Sequence, residues 1–189
     1  MSRDVINKSK YNPLIHNRQS IRLKGYDYSK EGLYFITTCC KDRTHLFGEI
    51  VCDEMILNDA GKMVEGEWLA LPNRYNNIKL HEFIVMPNHF HSILEIIEGA
   101  TLVVAPIEGQ PQGIAPTTVG EIVGSFKSKT TVEYINGVKN LNWKPFDSKV
   151  WQRNYHESII RSENSYINIS SYIIKNPANF KEDKFFNRI

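Results

Sequence analysis

Two apolar segments of this chain nearly abut: KLHEFIVM (79–86) and FHSILEII (90–97) are separated only by Pro87, Asn88 and His89. Both are rich in β-branched and aromatic residues, which predicts strands, and the Pro-Asn pair predicts the bend that joins them. An earlier stretch, LYFITTCC (33–40), reads as another strand of the same kind. Helical spacing appears elsewhere. Asn58 is placed to cap a helix carrying Ala60, Val64, Trp68 and Leu71, with Pro72 ending the pattern. Val119, Ile122, Val123, Phe126 and Thr130 share one face of a second helix, and a third is expected from about Ser162 to Lys175, closed by Pro177. Paired strands with helices laid over them predict an α+β domain with a largely antiparallel sheet.

The chain has 189 residues, 41% hydrophobic and 23% charged, enough for one domain with a real core. No apolar run approaches the roughly 18 residues of a membrane span, and MSRDVINKSK lacks the apolar stretch of a secretory signal, so a cytoplasmic protein is expected. Cys39, Cys40 and Cys52 show no C-x-x-C spacing, which predicts reduced, structural thiols and neither a zinc site nor a disulfide framework. Residues 1–31 read as a basic N-terminal arm, 32–180 as the main domain, 99–118 with three Gly and three Pro as a long mobile loop, and 181–189 as a tail. The net charge of +2 conceals an uneven distribution. Residues 45–110 hold 3 Lys/Arg against 10 Asp/Glu, leaving 20 against 11 elsewhere, a segregation compatible with a basic face toward a polyanion.

The segment PNHFHS (87–92) puts histidines inside a strand. Strand side chains alternate between faces, so His89 and His91 point the same way with Cα atoms roughly 7 Å apart, close enough to converge on one metal ion. The alternative is a pair of hydrogen-bonded rings at a sheet edge, each needing its own partners. A third ligand and a reactive group must come from elsewhere.

The C-terminal helix supplies candidates. At about 100° per residue, with Tyr166 at 0°, Ile167, Ile169, Ile173 and Ile174 form an apolar stripe centred near 20°. Tyr172 and Asn176 fall at about 240° and 280°, one turn apart on the rim of that stripe. Asn176 precedes Pro177, which disfavours a helical backbone at Asn176. Tyr155 in RNYHES is a rival nucleophile, weakened because its i+4 neighbour is Ile159. His45 and His81 read as structural or loop residues.

MPNHFHSIL together with VWQRNYHESIIRSENSYINISSYIIKNP resembles the HUH single-tyrosine transposases, most closely the REP-associated tyrosine transposases. RQSIRLKGYDYSKEGLYFITTCCKDRTHLFG and GEIVGSFKSKTT are similar to the same group, so the resemblance spans nearly all of 18–180. It implies a ferredoxin-like antiparallel sheet with helices packed on it, the HUH endonuclease fold. It further implies that His89, His91 and Asn176 bind a divalent metal, Mg²⁺ or Mn²⁺, and that Tyr172 attacks DNA. Asn176 stands where related enzymes carry Gln, a shorter arm with the same carbonyl. Two imidazoles and an amide oxygen add no ligand charge, so a cation there keeps its full pull on a phosphate. The implied activity is metal-dependent cleavage and strand transfer of single-stranded DNA carrying hairpins, through a covalent 5′-phosphotyrosine. A domesticated hairpin-binding protein with little cleavage, or a phosphodiesterase using water, are the alternatives. Lys127, Lys129, Arg153 and Arg161 are the candidate DNA-binding cations; Trp151 and Phe126 are expected in the core rather than stacked on bases. Related enzymes include homodimers that exchange the tyrosine helix, so a homodimer is compatible with the resemblance.

Overall fold

The structure is a computed structural model and describes residues 27–97 and 118–182. The expected basic arm lies outside these residues up to position 26, as do the 99–117 stretch of the expected loop and the tail beyond 182.

Strand β1 (Gly32–Cys39) leads to a short hairpin, β2 (Gly48–Val51) and β3 (Glu54–Leu57), then helix α1 (Asp59–Leu69). Strands β4 (Ile78–Val85) and β5 (His89–Ile96) follow, then α2 (Val119–Asn140), β6 (His156–Ile160) and α3 (Glu163–Lys175). The main sheet has the order β4-β5-β1-β6, every neighbour antiparallel. Setting aside the β2–β3 hairpin, this is the split β-α-β arrangement of a ferredoxin-like α+β fold, as expected. Among the described residues no helix is long and apolar enough to cross a membrane.

The sheet buries both faces, unequally. On one side α1 and α2 close the larger core, where Trp68, Phe90 and Phe126 meet with ring centroids 4.8 to 5.2 Å apart. All five residues expected on the α2 face, Val119 to Thr130, are buried there, and Trp151 joins them. On the other side α3 lies over a smaller cluster of Ile93, Ile160 and Ile173. Central strand β5 is therefore buried along nearly its whole length. Its odd-numbered side chains face α3 and its even-numbered ones face α1 and α2.

The β2–β3 hairpin escaped sequence reading because its strands are four residues each and its turn carries Cys52 and Asp53 instead of Asn-Gly. Both residues have positive φ, 49° and 63°, as a two-residue turn of this kind requires. Cys52 is thus an exposed turn residue and not a structural core thiol, whereas Cys40 is buried. Gly48 is required where it stands: a Cβ there would meet the Ile56 carbonyl oxygen at 2.1 Å.

Asn58 caps α1 as expected, its Oδ1 accepting from Gly61 N–H at 2.9 Å while its Nδ2 donates to the Leu46 carbonyl at 3.0 Å. Asn58→Ala is expected to cost about 1 kcal/mol of stability, read as a lowered urea midpoint at unchanged slope.

Candidate active site

His89 and His91 open β5, at the end of the sheet where β1 finishes; their Cα partners across the ladder are Cys39 and Thr37. Both are buried, and their ring centroids lie 4.5 Å apart. The two rings are held by groups that face their Nδ1 atoms. Asn88 Oδ1 accepts from His89 Nδ1 at 2.8 Å, and Asn88 Nδ2 donates to the Arg43 carbonyl at 3.2 Å, which sets the amide's orientation. Thr37 Oγ1 lies 2.8 Å from His91 Nδ1, and Phe35 stacks on the His91 ring at 5.4 Å. A proton held at His89 Nδ1 leaves its Nε2 lone pair directed into the site, the condition for a metal ligand.

Helix α3 brings the other two side chains to those Nε2 atoms. The Tyr172 hydroxyl lies 3.2 Å from His91 Nε2 and Asn176 Oδ1 lies 3.3 Å from His89 Nε2. The four residues expected to act together are therefore brought together by one chain. Tyr172 is 39% exposed, its ring set edge-on to Phe35 at 6.2 Å, while Asn176 is buried.

This donor set fits a divalent cation. His89 Nε2 and Asn176 Oδ1 are both acceptors once Nδ1 holds the histidine's proton, and two acceptors facing one another are satisfied by a positive charge between them. With metal–ligand bonds of about 2.1 Å, adjacent octahedral ligands lie roughly 3 Å apart, close to the spacing observed. Among the described residues no three His, Cys, Asp or Glu side chains gather into a metal cluster, so a cation held here rests on the carboxamide as well as the imidazoles.

Two expectations about α3 are corrected. Its buried face is turned by about 40° from the apolar stripe toward the Tyr172 side. Ile173, Ser170 and Asn176 are buried and Tyr166 and Ile169 half-buried, whereas Ile167 and Ile174 are 51% and 66% exposed. The sheet surface beneath is half polar, so hydroxyls and a carboxamide compete successfully with isoleucine for it. Asn176 keeps a helical backbone (φ −58°, ψ −39°) despite Pro177. Its N–H bonds to the Ile173 carbonyl at 3.2 Å and its side chain meets His89, which together offset the steric preference against that conformation.

The four candidate DNA-binding cations are scattered. Lys127 and Lys129 lie on α2, in the layer opposite α3. The Lys127 ammonium donates to the Gln152 carbonyl at 2.6 Å and the Arg153 carbonyl at 3.2 Å, and burial lowers its pKa to about 8. It pins the segment entering β6. Lys129 pairs with Glu133 at 2.8 Å on the helix surface, and that hydrogen bond raises its pKa. Arg153 is exposed at the histidine end of the sheet, next to Gln152, whose N–H bonds Cys39. Arg161 is exposed at the far end, beyond the Leu33–Ile160 pair. Tyr155 packs against the larger core, the one closed by α1 and α2.

Sequence reasoning missed Asn88, Thr37 and Phe180. Asn88 is signalled only by adjacency to His89, and Thr37 by cross-strand register, which requires the sheet. Phe180 follows α3 and stands between two histidines, 6.2 Å from the His89 ring and 5.8 Å from His45. His81, read as structural or loop, is a strand residue in a polar network with Tyr166 and Glu95.

No family model matches the chain. It is 43% identical over 183 residues to an uncharacterized protein of Haemophilus influenzae, covering 94% of this chain and 98% of that one. Among solved structures it is similar to the REP-associated tyrosine transposase bound to a REP hairpin, with TM-score 0.54 and 16% identity over 88% of this chain and 77% of that one. A putative transposase from Deinococcus radiodurans aligns with TM-score 0.43 and 18% identity, over 84% of this chain and 98% of that one.

Proposed function

We propose, for a chain that belongs to the same family as the Haemophilus influenzae protein and has the fold of the REP-associated tyrosine transposase, that it cuts and rejoins single-stranded DNA by transesterification on Tyr172. The observation that carries this reading is the convergence of Tyr172 and Asn176, one helical turn apart, on the Nε2 atoms of a buried histidine pair.

Tyr172 supplies the nucleophile. Its oxygen attacks the scissile phosphorus, the bond to the 3′ oxygen breaks, the phenol loses its proton and the departing 3′ oxygen gains one. The product is a 5′-phosphotyrosine and a free 3′ hydroxyl. The number of phosphodiester linkages is unchanged, so an incoming 3′ hydroxyl can reverse the step with a different strand. His89, His91 and Asn176 would hold Mg²⁺ or Mn²⁺, which when bound supplies Lewis-acid polarisation of the phosphate. Asn88 and Thr37 orient the imidazoles, and Phe35 holds both the His91 and Tyr172 rings at the working distance. The DNA partner is proposed as single strands beside hairpins, since the structural neighbour was bound to a REP hairpin. Arg153 is the favoured backbone contact of the four cations, since it is exposed at the site's end of the sheet. The proposed catalytic unit is 32–180, working in the cytoplasm.

Incubating the full chain with 3′-end-labelled hairpin DNA and Mn²⁺ is expected to give a labelled protein band that survives denaturation and disappears with a chelator. Cleavage with turnover but no protein-linked label would replace this reading with a hydrolytic phosphodiesterase.

A further inference from the structure

Strand β4 contains one residue more than its partner can match. Leu80 pairs with Leu94 and Phe83 with Ser92, so His81 and Glu82 together stand opposite Ile93. Simple alternation would send one of these two side chains to the opposite face; the bulge lets both meet α3's layer. Glu82 Oε2 accepts from the Tyr166 hydroxyl at 2.9 Å and from the Ser170 hydroxyl at 3.1 Å. His81 Nδ1 lies 3.2 Å from the Tyr166 oxygen, and its Nε2 lies 2.8 Å from Glu95 Oε2.

Tyr166 and Ser170 are one turn apart on α3, and the same face continues to Ile173 and Asn176. The apolar hold of this helix is thin. Ile169 and Ile173 pack inward while Ile167 and Ile174 face solvent, so burial alone does little to fix how far the helix rolls about its axis. One acceptor taking hydroxyls from successive turns does fix it. A roll of about 20° carries an atom roughly 6 Å from the axis through about 2 Å. Displacements of that order at a reacting atom cost about 10²-fold in rate.

We infer that the β4 bulge is a clamp setting the roll of the tyrosine helix, with Glu82 as the positioning residue for Tyr172; its bearing on rate rests on the strand-transfer reading. Glu82 does not touch the reacting atoms. Burial pushes its carboxyl up, but the bonds from its own backbone N–H, Tyr166 and Ser170, with His81 nearby, outweigh this and leave it below the ordinary value. A carboxyl lowered in the folded state contributes stability above its unfolded pKa and loses that contribution as pH falls through the folded one.

The test compares Glu82→Ala, Glu82→Gln and Tyr166→Phe in the full chain. The single-turnover rate of adduct formation in Glu82→Ala is expected to fall about 10- to 100-fold, with DNA affinity within about twofold of the parent. Glu82→Gln is expected to restore most of the rate, because its amide oxygen accepts the same two hydroxyls. An unchanged rate in Glu82→Ala, or a Glu82→Gln variant as slow as Glu82→Ala, would overturn the clamp. Amide hydrogen exchange along α3 provides a readout independent of chemistry: faster in Glu82→Ala and Tyr166→Phe than in Glu82→Gln. If the parent chain forms no adduct, the strand-transfer reading falls and the clamp is judged on exchange alone. Unaltered α3 protection in all three variants rejects it.

Discussion

Replacing Tyr172 by Phe is expected to lower covalent attachment to single-stranded DNA by at least about 10³-fold, while DNA affinity stays within about twofold. The substitution removes one oxygen and nothing else. The phenyl ring keeps its edge-on contact with Phe35, and at 39% exposure the side chain carries little of the helix's packing, so the fold has no reason to change. Loss of the atom proposed to form the new bond corresponds to at least about 4 kcal/mol in the barrier, more than any neighbouring hydroxyl can supply from a distance. Tyr155→Phe is the control, expected to attach DNA at the parental rate because Tyr155 packs against the other layer's core. Denaturing gels of labelled hairpin DNA read both. Attachment that persists in Tyr172→Phe, or that vanishes in Tyr155→Phe, would transfer the role elsewhere.

His91→Ala and His89→Ala are each expected to lose at least about 10²-fold in cleavage together with their response to added Mn²⁺, since each removes one of the three proposed ligands. Both rings are buried and His91 is stacked on Phe35, so truncation also opens a cavity and lowers stability. Asn88→Ala separates the two effects. It leaves both rings in place, removes the acceptor at His89 Nδ1, and is expected to weaken Mn²⁺ binding about 10- to 100-fold, as outer-shell partners do. Titration calorimetry with Mn²⁺, alongside thermal unfolding, reads ligation apart from folding. Parental Mn²⁺ affinity in both histidine variants would remove the metal from the proposal.

The pairing of the two histidines was legible because a strand has a period of two, which leaves no freedom in where residues 89 and 91 point once β5 is recognised. The same holds for Tyr172 and Asn176, adjacent by helical period whatever the helix packs against. The α2 face was legible too, since its underside is mostly apolar and Val119, Ile122, Val123 and Phe126 report it directly.

The roll of α3 was not legible, and it decides whether Tyr172 meets His91. Averaging apolar side chains pointed the helix toward Ile167 and Ile174, both of which the fold leaves in solvent. The Tyr166 and Ser170 hydroxyls instead bond Glu82 on a bulged strand 84 and 88 residues earlier, and no local pattern announces a bulge. Local periodicity determined which side chains travel together. Only the tertiary structure decided which pairs meet, because that depends on surfaces supplied by distant strands, whose polar groups must be satisfied once they are buried.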